Sequence, residues 1–255
     1  MKKISAVIIT QNEERNIERC ILSILPVADE ILVIDSGSKD KTQEIATKLP
    51  KVIFHHHPWE GFSGSKNFGN LRAQNDWILS VDADEALSPE LQQSILIEKE
   101  NDQEYAYRVS RLSSYCGTWI KHCKWYPDYK IRIFNRKSTQ WVGESIHEKL
   151  VFNNNPAVNT LKGDLLHYTL ETIGDSVDKI NNYSTIWANE AFAKGKKKSG
   201  ISIFIDPLKT FINIYFINGG ILDGLYGFEI SVISSYAKFL RIAKLKNLYK
   251  KHKKN

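Results

Sequence analysis

Three carboxylates crowd the stretch ILSVDADEAL (78–87): Asp82, Asp84 and Glu85 lie within four positions, straight after an apolar run. Like charges this close repel one another, and burying any of them is costly without a partner. Asp82 and Asp84 are separated by one residue. That spacing puts them on one side of an extended strand end, because strand side chains alternate with period two. Two oxygen donors with open positions suit Mg²⁺ or Mn²⁺, and a cation held there can bridge to a diphosphate. The bland alternative is a solvated strand-to-helix turn with Glu85 favourable near the helix start. A second polar cluster, DSGSKDKT (35–42), also follows an apolar run. There Asp35 could accept hydrogen bonds from a base or ribose beside the small residues Ser36, Gly37 and Ser38; a βα turn capped by Asp and Ser is equally open.

A repeating pattern of elements must position these residues. Buried-strand runs at 4–10, 30–35, 51–56 and 76–84 alternate with helix-like segments at 16–25, 41–49, 64–74 and 88–100. Ser88 is the expected N-cap of the last of these, with Pro89 at its first position. Continuous apolar strands between amphipathic helices predict an α/β, Rossmann-like sheet covered on both faces. Ligands in such sheets bind beyond the carboxyl ends of strands. TQNEE, DSGSKD and DADE all fall at those ends.

From about 105 to 170 the chain changes to short, often alternating strands with tryptophans between them, and from 173 it reads as helical. Aromatic faces stack on sugar rings, so Trp119, Trp125, Tyr126 and Trp141 could form a carbohydrate platform, with core packing as the competing role for Trp119 and Trp141. Arg132 and Arg136 are expected on one strand face, where they could meet phosphates or form surface charge. The histidines of HHHP (55–58) alternate in direction and cannot converge on one ion. Cys116, His122 and Cys123 lack zinc-site spacing.

Composition narrows the class. The chain has 255 residues, 42% hydrophobic and 25% charged, enough for a full core. Three widely spaced cysteines imply no disulfide framework and fit a reducing compartment. MKKISAVIIT reads as a strand rather than a signal peptide. No stretch reaches the ~20 apolar residues of a transmembrane helix. The net charge of +6 is uneven: residues 194–255 hold thirteen Lys/Arg against three acids, leaving 22 basic and 26 acidic residues in the first 193. After residue 240 there are seven Lys/Arg and no acids. An apolar tail ending in lysines fits helices lying on an anionic leaflet; a helix packed on the main domain or a dimer seam is the alternative. Nucleic acid is not an expected partner.

The segments VIITQNEERNIERCILSI, EILVIDSGSKDKT, GFSGSKNFGNLRAQNDWILSVDADE and WVGESIHEKL, in this order, resemble a family 2 glycosyltransferase of the GT-A fold. Within it the chain is most similar to lipopolysaccharide-core β-1,4-glucosyltransferases, which add glucose to an inner-core heptose. The resemblance covers about 1–170; Gln11 stands where a lysine often precedes the Asn-Glu pair. It implies a nucleotide pocket of Thr10, Asn12, Glu13, Asp35 and Ser36, with Lys66 and Asn67 near a UDP-sugar donor. Asp82 would contact ribose or metal, and Asp84 would be the main ligand of Mg²⁺ or Mn²⁺. GESIHE matches the family's glycine and His-Glu pair at Gly143, His147 and Glu148. His147 would approach metal or diphosphate and Glu148 would be the general base, with Glu144 competing. Transfer from a sugar nucleotide needs stabilisation of the departing diphosphate and a base for the acceptor hydroxyl.

The expected organisation is a GT-A catalytic domain with a mixed central sheet over 1–170, divided into a donor half at about 1–100 and an acceptor half at about 101–170. A helical, basic extension spans 171–255. The expected setting is cytoplasmic, peripheral on the inner face of the membrane, with a lipid-linked glycan acceptor. Alternatives are another glycan, a polyprenyl-linked sugar or a peptide as acceptor. A non-catalytic membrane-surface protein would leave Asp82, Asp84 and Glu148 idle, and a nucleotidyltransferase would need a glycine-rich loop that TQNEERN lacks.

Overall fold

The computed structural model describes residues 1–101, 103–143 and 148–252. They fall into two compact units, one of residues 1–112 with 128–168, the other of residues 113–127 with 169 onward. A single division near 170 was expected; residues 113–127 pack with the C-terminal unit instead.

In the first unit the apolar runs become strands. β1 (Ile4–Thr10) and β2 (Glu30–Asp35) are buried along their whole lengths. Between them α1 (Ile17–Ile24) buries Ile17, Cys20, Ile21 and Ile24, the i, i+3, i+4, i+7 stripe of an amphipathic helix. α2 (Thr42–Ala46) and β3 (Val52–His56) follow, then α3 (Gly61–Arg72) and β4 (Trp77–Asp82). The chain next forms a short strand the sequence pattern did not announce, β5 (Glu85–Leu87), before α4 (Pro89–Lys99). Ser88 caps α4 by accepting from the Leu91 amide at 3.2 Å, with Pro89 at the first position.

β6 (Ala106–Tyr115), β7 (Thr118–Trp119), β8 (Asp128–Asn135), β9 (Thr139–Val142), β10 (Lys149–Phe152) and β11 (Val158–Leu170) complete the strands. The main sheet has the order β3-β2-β1-β4-β8-β6-β11-β5, with β7 beside β6; β9 and β10 form a separate antiparallel ribbon. β3, β2, β1 and β4 are parallel, whereas β4–β8, β6–β8 and β11–β5 are antiparallel. This is the mixed α/β sheet expected. Register aligns Thr10 with Asp35 and Ile9 with Asp82, so the three polar loops leave the sheet at one edge. Each fully buried Ile or Val in β1 contributes about 1.5–3 kcal/mol over an exposed position. That burial makes β1 central and fixes the edge.

Gly69 lets α3 approach the sheet. A Cβ there would lie 2.4 Å from Val7 Cγ1, too close without displacing the helix.

The second unit contains α5 (Ile173–Ala193), α6 (Ser202–Ile212) and α7 (Gly224–His252). A π-helical turn (Asn213–Ile217) and a 3₁₀ turn (Gly220–Asp223) join the last two. Thr172 and Asp175 form a reciprocal capping box at the start of α5. The unit has small cores of its own: Tyr115, Ile120, Cys123 and Ile230 in one, Ala188, Ala191 and Leu245 in another. Here His122 Nδ1 lies 2.8 Å from Asp223 Oδ1, and burial pushes the Cys123 thiol up to about 12. These groups tie the 3₁₀ turn to the loop at 121–123. Among the described residues no helix is long and apolar enough to cross a membrane.

Candidate functional site

Two loops at the carboxyl ends of β1 and β2 are knitted together. The Ser36 amide donates to Thr10 O at 3.0 Å, Gln11 Nε2 to Ser36 O at 3.0 Å, and the Asn12 amide to Ser38 Oγ at 2.8 Å. Asn12 Oδ1 accepts from the Lys39 amide at 2.8 Å. Glu13 accepts from Asn16 Nδ2 at 2.7 Å, and its amide donates to Thr42 Oγ1 at 2.8 Å. Asp35 is fully buried and organises its turn: it accepts from the Gly37 amide at 3.1 Å, from the Ser38 amide and from the Ser38 hydroxyl. Gly37, at φ +90°, supplies the left-handed residue that turn needs. His56 Nδ1 lies 3.2 Å from Asp35, while His57 stacks on Phe68. Thr10 Oγ1 is buried with no hydrogen-bond partner among the described residues, so a donor on a bound molecule would satisfy it.

The carboxylates that opened the sequence question part company in space. Asp82 is claimed by two cations: Lys66 Nζ is 3.2 Å from Oδ1 and Arg132 Nη2 is 3.1 Å from Oδ2. Burial alone would raise the Asp82 carboxyl, but Lys66, then Arg132, hold it well below the usual carboxylate range. Glu85 sits on β5 rather than at a helix start and is fully buried. It accepts from Arg132 Nη2 at 2.5 Å and from the Asp82 amide at 3.1 Å, with Arg111 3.4 Å away. Burial would lower the Arg132 guanidinium, but Glu85 and Asp82 outweigh it and raise it further. Arg132, considered as a phosphate contact, therefore spends its charge inside the protein. Arg136 lies past the end of β8 and pairs with Asp76 instead of sharing that strand face.

Asp84 faces a different partner. His167 Nε2 on β11 lies 3.2 Å from Asp84 Oδ2. Pairing of β11 with β5 sets His167 opposite Glu85, and the Tyr168 amide donates to Asp84 O at 2.8 Å. His167 had not been singled out from the sequence. Its one signal there is a histidine inside the apolar alternating run of LLHYTL, 83 positions from Asp84, and nothing local links the two.

Lys66, only 2% exposed, also lies 3.2 Å from Glu148 Oε1 and 4.7 Å from the centre of the Trp141 ring. One ammonium thus connects Asp82 to the candidate base. Asn67, expected near the donor, uses its amide on the Trp141 backbone, donating at 2.8 Å and accepting at 3.0 Å. It fixes β9 against α3. Glu144 and His147 lie outside the described residues. Trp125 and Tyr126 belong to the second unit, where Trp125 packs edge-on against Tyr115.

Among the described residues no group of three or more His, Cys, Asp or Glu side chains forms a ready-made metal cage. Asp84 and His167 nonetheless make an oxygen–nitrogen pair suited to a divalent cation. Mg²⁺ typically takes one or two protein carboxylates and completes its shell with substrate phosphates and water. One carboxylate and one imidazole would leave most of a cation's shell to such ligands.

An uncharacterized glycosyltransferase of Rickettsia typhi is 37% identical over 260 residues, covering 97% of this chain and 88% of its own length. The lipopolysaccharide core biosynthesis glycosyltransferase LpsC of Rhizobium meliloti is 29% identical, covering 98% and 93%. The mannosyltransferase PcManGT from Pyrobaculum calidifontis, solved with GDP-Man and Mn²⁺, shares the fold at a TM-score of 0.53 and 12% identity, covering 95% of this chain and 86% of that one. The profile of glycosyl transferase family 2 matches residues 5–153, which hold every loop just described from Thr10 to Glu148, and the chain belongs to that family.

Proposed function

We propose that the chain is an inverting, metal-dependent hexosyltransferase that moves glucose from UDP-glucose to an inner-core heptose of lipopolysaccharide or lipooligosaccharide. It works on a lipid-linked glycan at the cytoplasmic face of the membrane. Residues 1–170 are the catalytic part and 171–255 an extension. The observation that carries the reading is the convergence of Thr10, Asp35, Asp82 and Asp84 at the carboxyl edge of parallel strands, with His167 delivered to Asp84 by β11. Family membership and the name of the Rhizobium meliloti relative support it.

The base and ribose of the donor lie over the Thr10–Glu13 and Asp35–Ser36 loops, where the buried Thr10 hydroxyl gains its missing partner. Asp84 and His167 would hold a divalent cation, which would supply positive charge to the departing diphosphate. Asp82, already neutralised by Lys66 and Arg132, serves as a fixed wall of the pocket and can accept from the ribose. Glu148 accepts the proton of the acceptor hydroxyl as that oxygen attacks the anomeric carbon from the face opposite the diphosphate. The C–O bond to the diphosphate breaks as the new one forms, inverting the centre. Lys66 orients Glu148 and sets its distance from the donor pocket. His147 remains a candidate near the diphosphate and Glu144 the competing base.

A donor-hydrolysis screen of UDP-, GDP- and ADP-sugars with Mn²⁺, Mg²⁺ or chelator tests this. Turnover of UDP-glucose that disappears on chelation is expected. A preference for GDP-mannose, the donor bound by the Pyrobaculum calidifontis enzyme, or metal-independent turnover, would overturn the donor or the metal part respectively.

A further inference from the structure

α6 turns its apolar side chains outward. Phe204, Leu208 and Ile212 recur every four residues and so share one stripe of the helix. That stripe faces solvent, with Phe204 74% exposed. The same character continues through the turns that follow and into the start of α7, at Ile217, Leu222 and Leu225, with Ile217 75% and Leu222 71% exposed. Side chains of this size together present several hundred Å² of apolar surface, roughly the 300–600 Å² at which a patch signals an interaction site.

The rim of this surface is cationic. Lys194, Lys196, Lys197 and Lys198 are exposed immediately before α6, and exposed Lys209 follows Leu208 at the stripe's edge. The acids nearby are already engaged: Asp206 by Lys198 at 3.0 Å and Asp223 by His122 at 2.8 Å. A basic rim around an apolar face complements anionic headgroups over acyl chains. A second copy of the chain would set the same lysines against each other, which disfavours self-association through this face. α6 has eleven residues and ends in a π-helical turn, too short to span the ~20 residues a bilayer requires.

We propose that residues 201–225 form a docking face that lies in the headgroup–acyl boundary of an anionic phospholipid bilayer, with Lys194, Lys196, Lys197 and Lys209 among the headgroups. The proposal rests on the membrane-peripheral part of the function above. It assigns the principal contact to the apolar segment 201–225 rather than to the lysine-rich stretch 241–255.

Co-sedimentation of the full chain with phosphatidylglycerol-rich and pure phosphatidylcholine vesicles tests it, comparing wild type with F204S/I217S/L222S. These side chains are exposed, so the variant should keep its melting temperature. Its partitioning should fall more than about 10-fold, since three apolar side chains are withdrawn from the acyl boundary. K194Q/K196Q/K197Q should lose mainly the preference for the anionic vesicles. Undiminished binding of F204S/I217S/L222S overturns the assignment of the face and leaves peripheral attachment to the lysine-rich end. A wild type that binds neither vesicle overturns both claims. A wild-type dimer that ignores vesicles and dissociates in the variant gives the face to a second copy. UDP-glucose hydrolysis in the same samples reports on the chemistry independently.

Discussion

The two units treat the same kinds of side chain in opposite ways. In the first, β1 buries all seven of its residues, and the charges gather where the strands end. In the second, α6 carries isoleucine, leucine and phenylalanine on its solvent face, with lysines around them. Apolar content therefore says little about a segment until its partner is known. For β1 the partner is the rest of the sheet. For α6 no described part of the unit covers the stripe, and exposed lysines precede and flank it.

The largest test of this contrast is at the charged edge. Asp84→Ala should abolish metal-dependent UDP binding, and His167→Ala should share the defect. Calorimetry with and without Mn²⁺ measures both, and full affinity in either variant would remove that residue from the metal site. Next comes Glu148→Gln, expected to slow transfer about 10²–10⁴-fold while keeping donor affinity, the usual share of a general base. Near-normal turnover would move the base to Glu144.

Packing tests follow. Ile8→Ala in the centre of β1 should cost about 2–5 kcal/mol in denaturant unfolding. Asp29→Asn is smaller. Burial would raise the Asp29 carboxyl, but Lys99 and the Ile4 amide hold it below its ordinary value. A depressed carboxyl stabilises the fold above its unfolded pKa, and that contribution is lost as pH falls through the folded value. The substitution should therefore cost under about 1 kcal/mol after solvent screening near neutrality. Its cost should vanish in acid below the ordinary aspartate range; a constant difference across pH would mean packing, not charge, was lost. Smallest of all, Ile217→Ser should stay within about 0.5 kcal/mol, as exposed substitutions do. A large loss there would mean the apolar face is covered by its own chain, erasing the contrast between the units.

Much of the first unit could be read directly. Period-two and period-3.6 patterns placed the strands and helices through residue 100 to within a few positions, and Ser88 and Pro89 marked the start of α4. The exception was β5, three residues read as the run-up to a helix. Such a short strand carries no periodicity of its own, because it exists only by pairing with β11, some eighty residues later. Glu85 was misplaced for the same reason. At a helix start its charge would face solvent, whereas on β5 it is enclosed by Arg132 and Arg111.

What the sequence determined by itself was the type and order of the central elements and the identity of the polar loops at their carboxyl ends. Backbone periodicity and local turn chemistry are short-range, and they were sufficient for that. Only tertiary structure decided how Asp82 and Asp84 divide: Lys66 and Arg132 neutralise one, and His167 faces the other. It also decided that α6 shows its apolar stripe to solvent. Both are properties of contacts between residues far apart in the chain, and charge pairing and burial are set by which distant side chains meet.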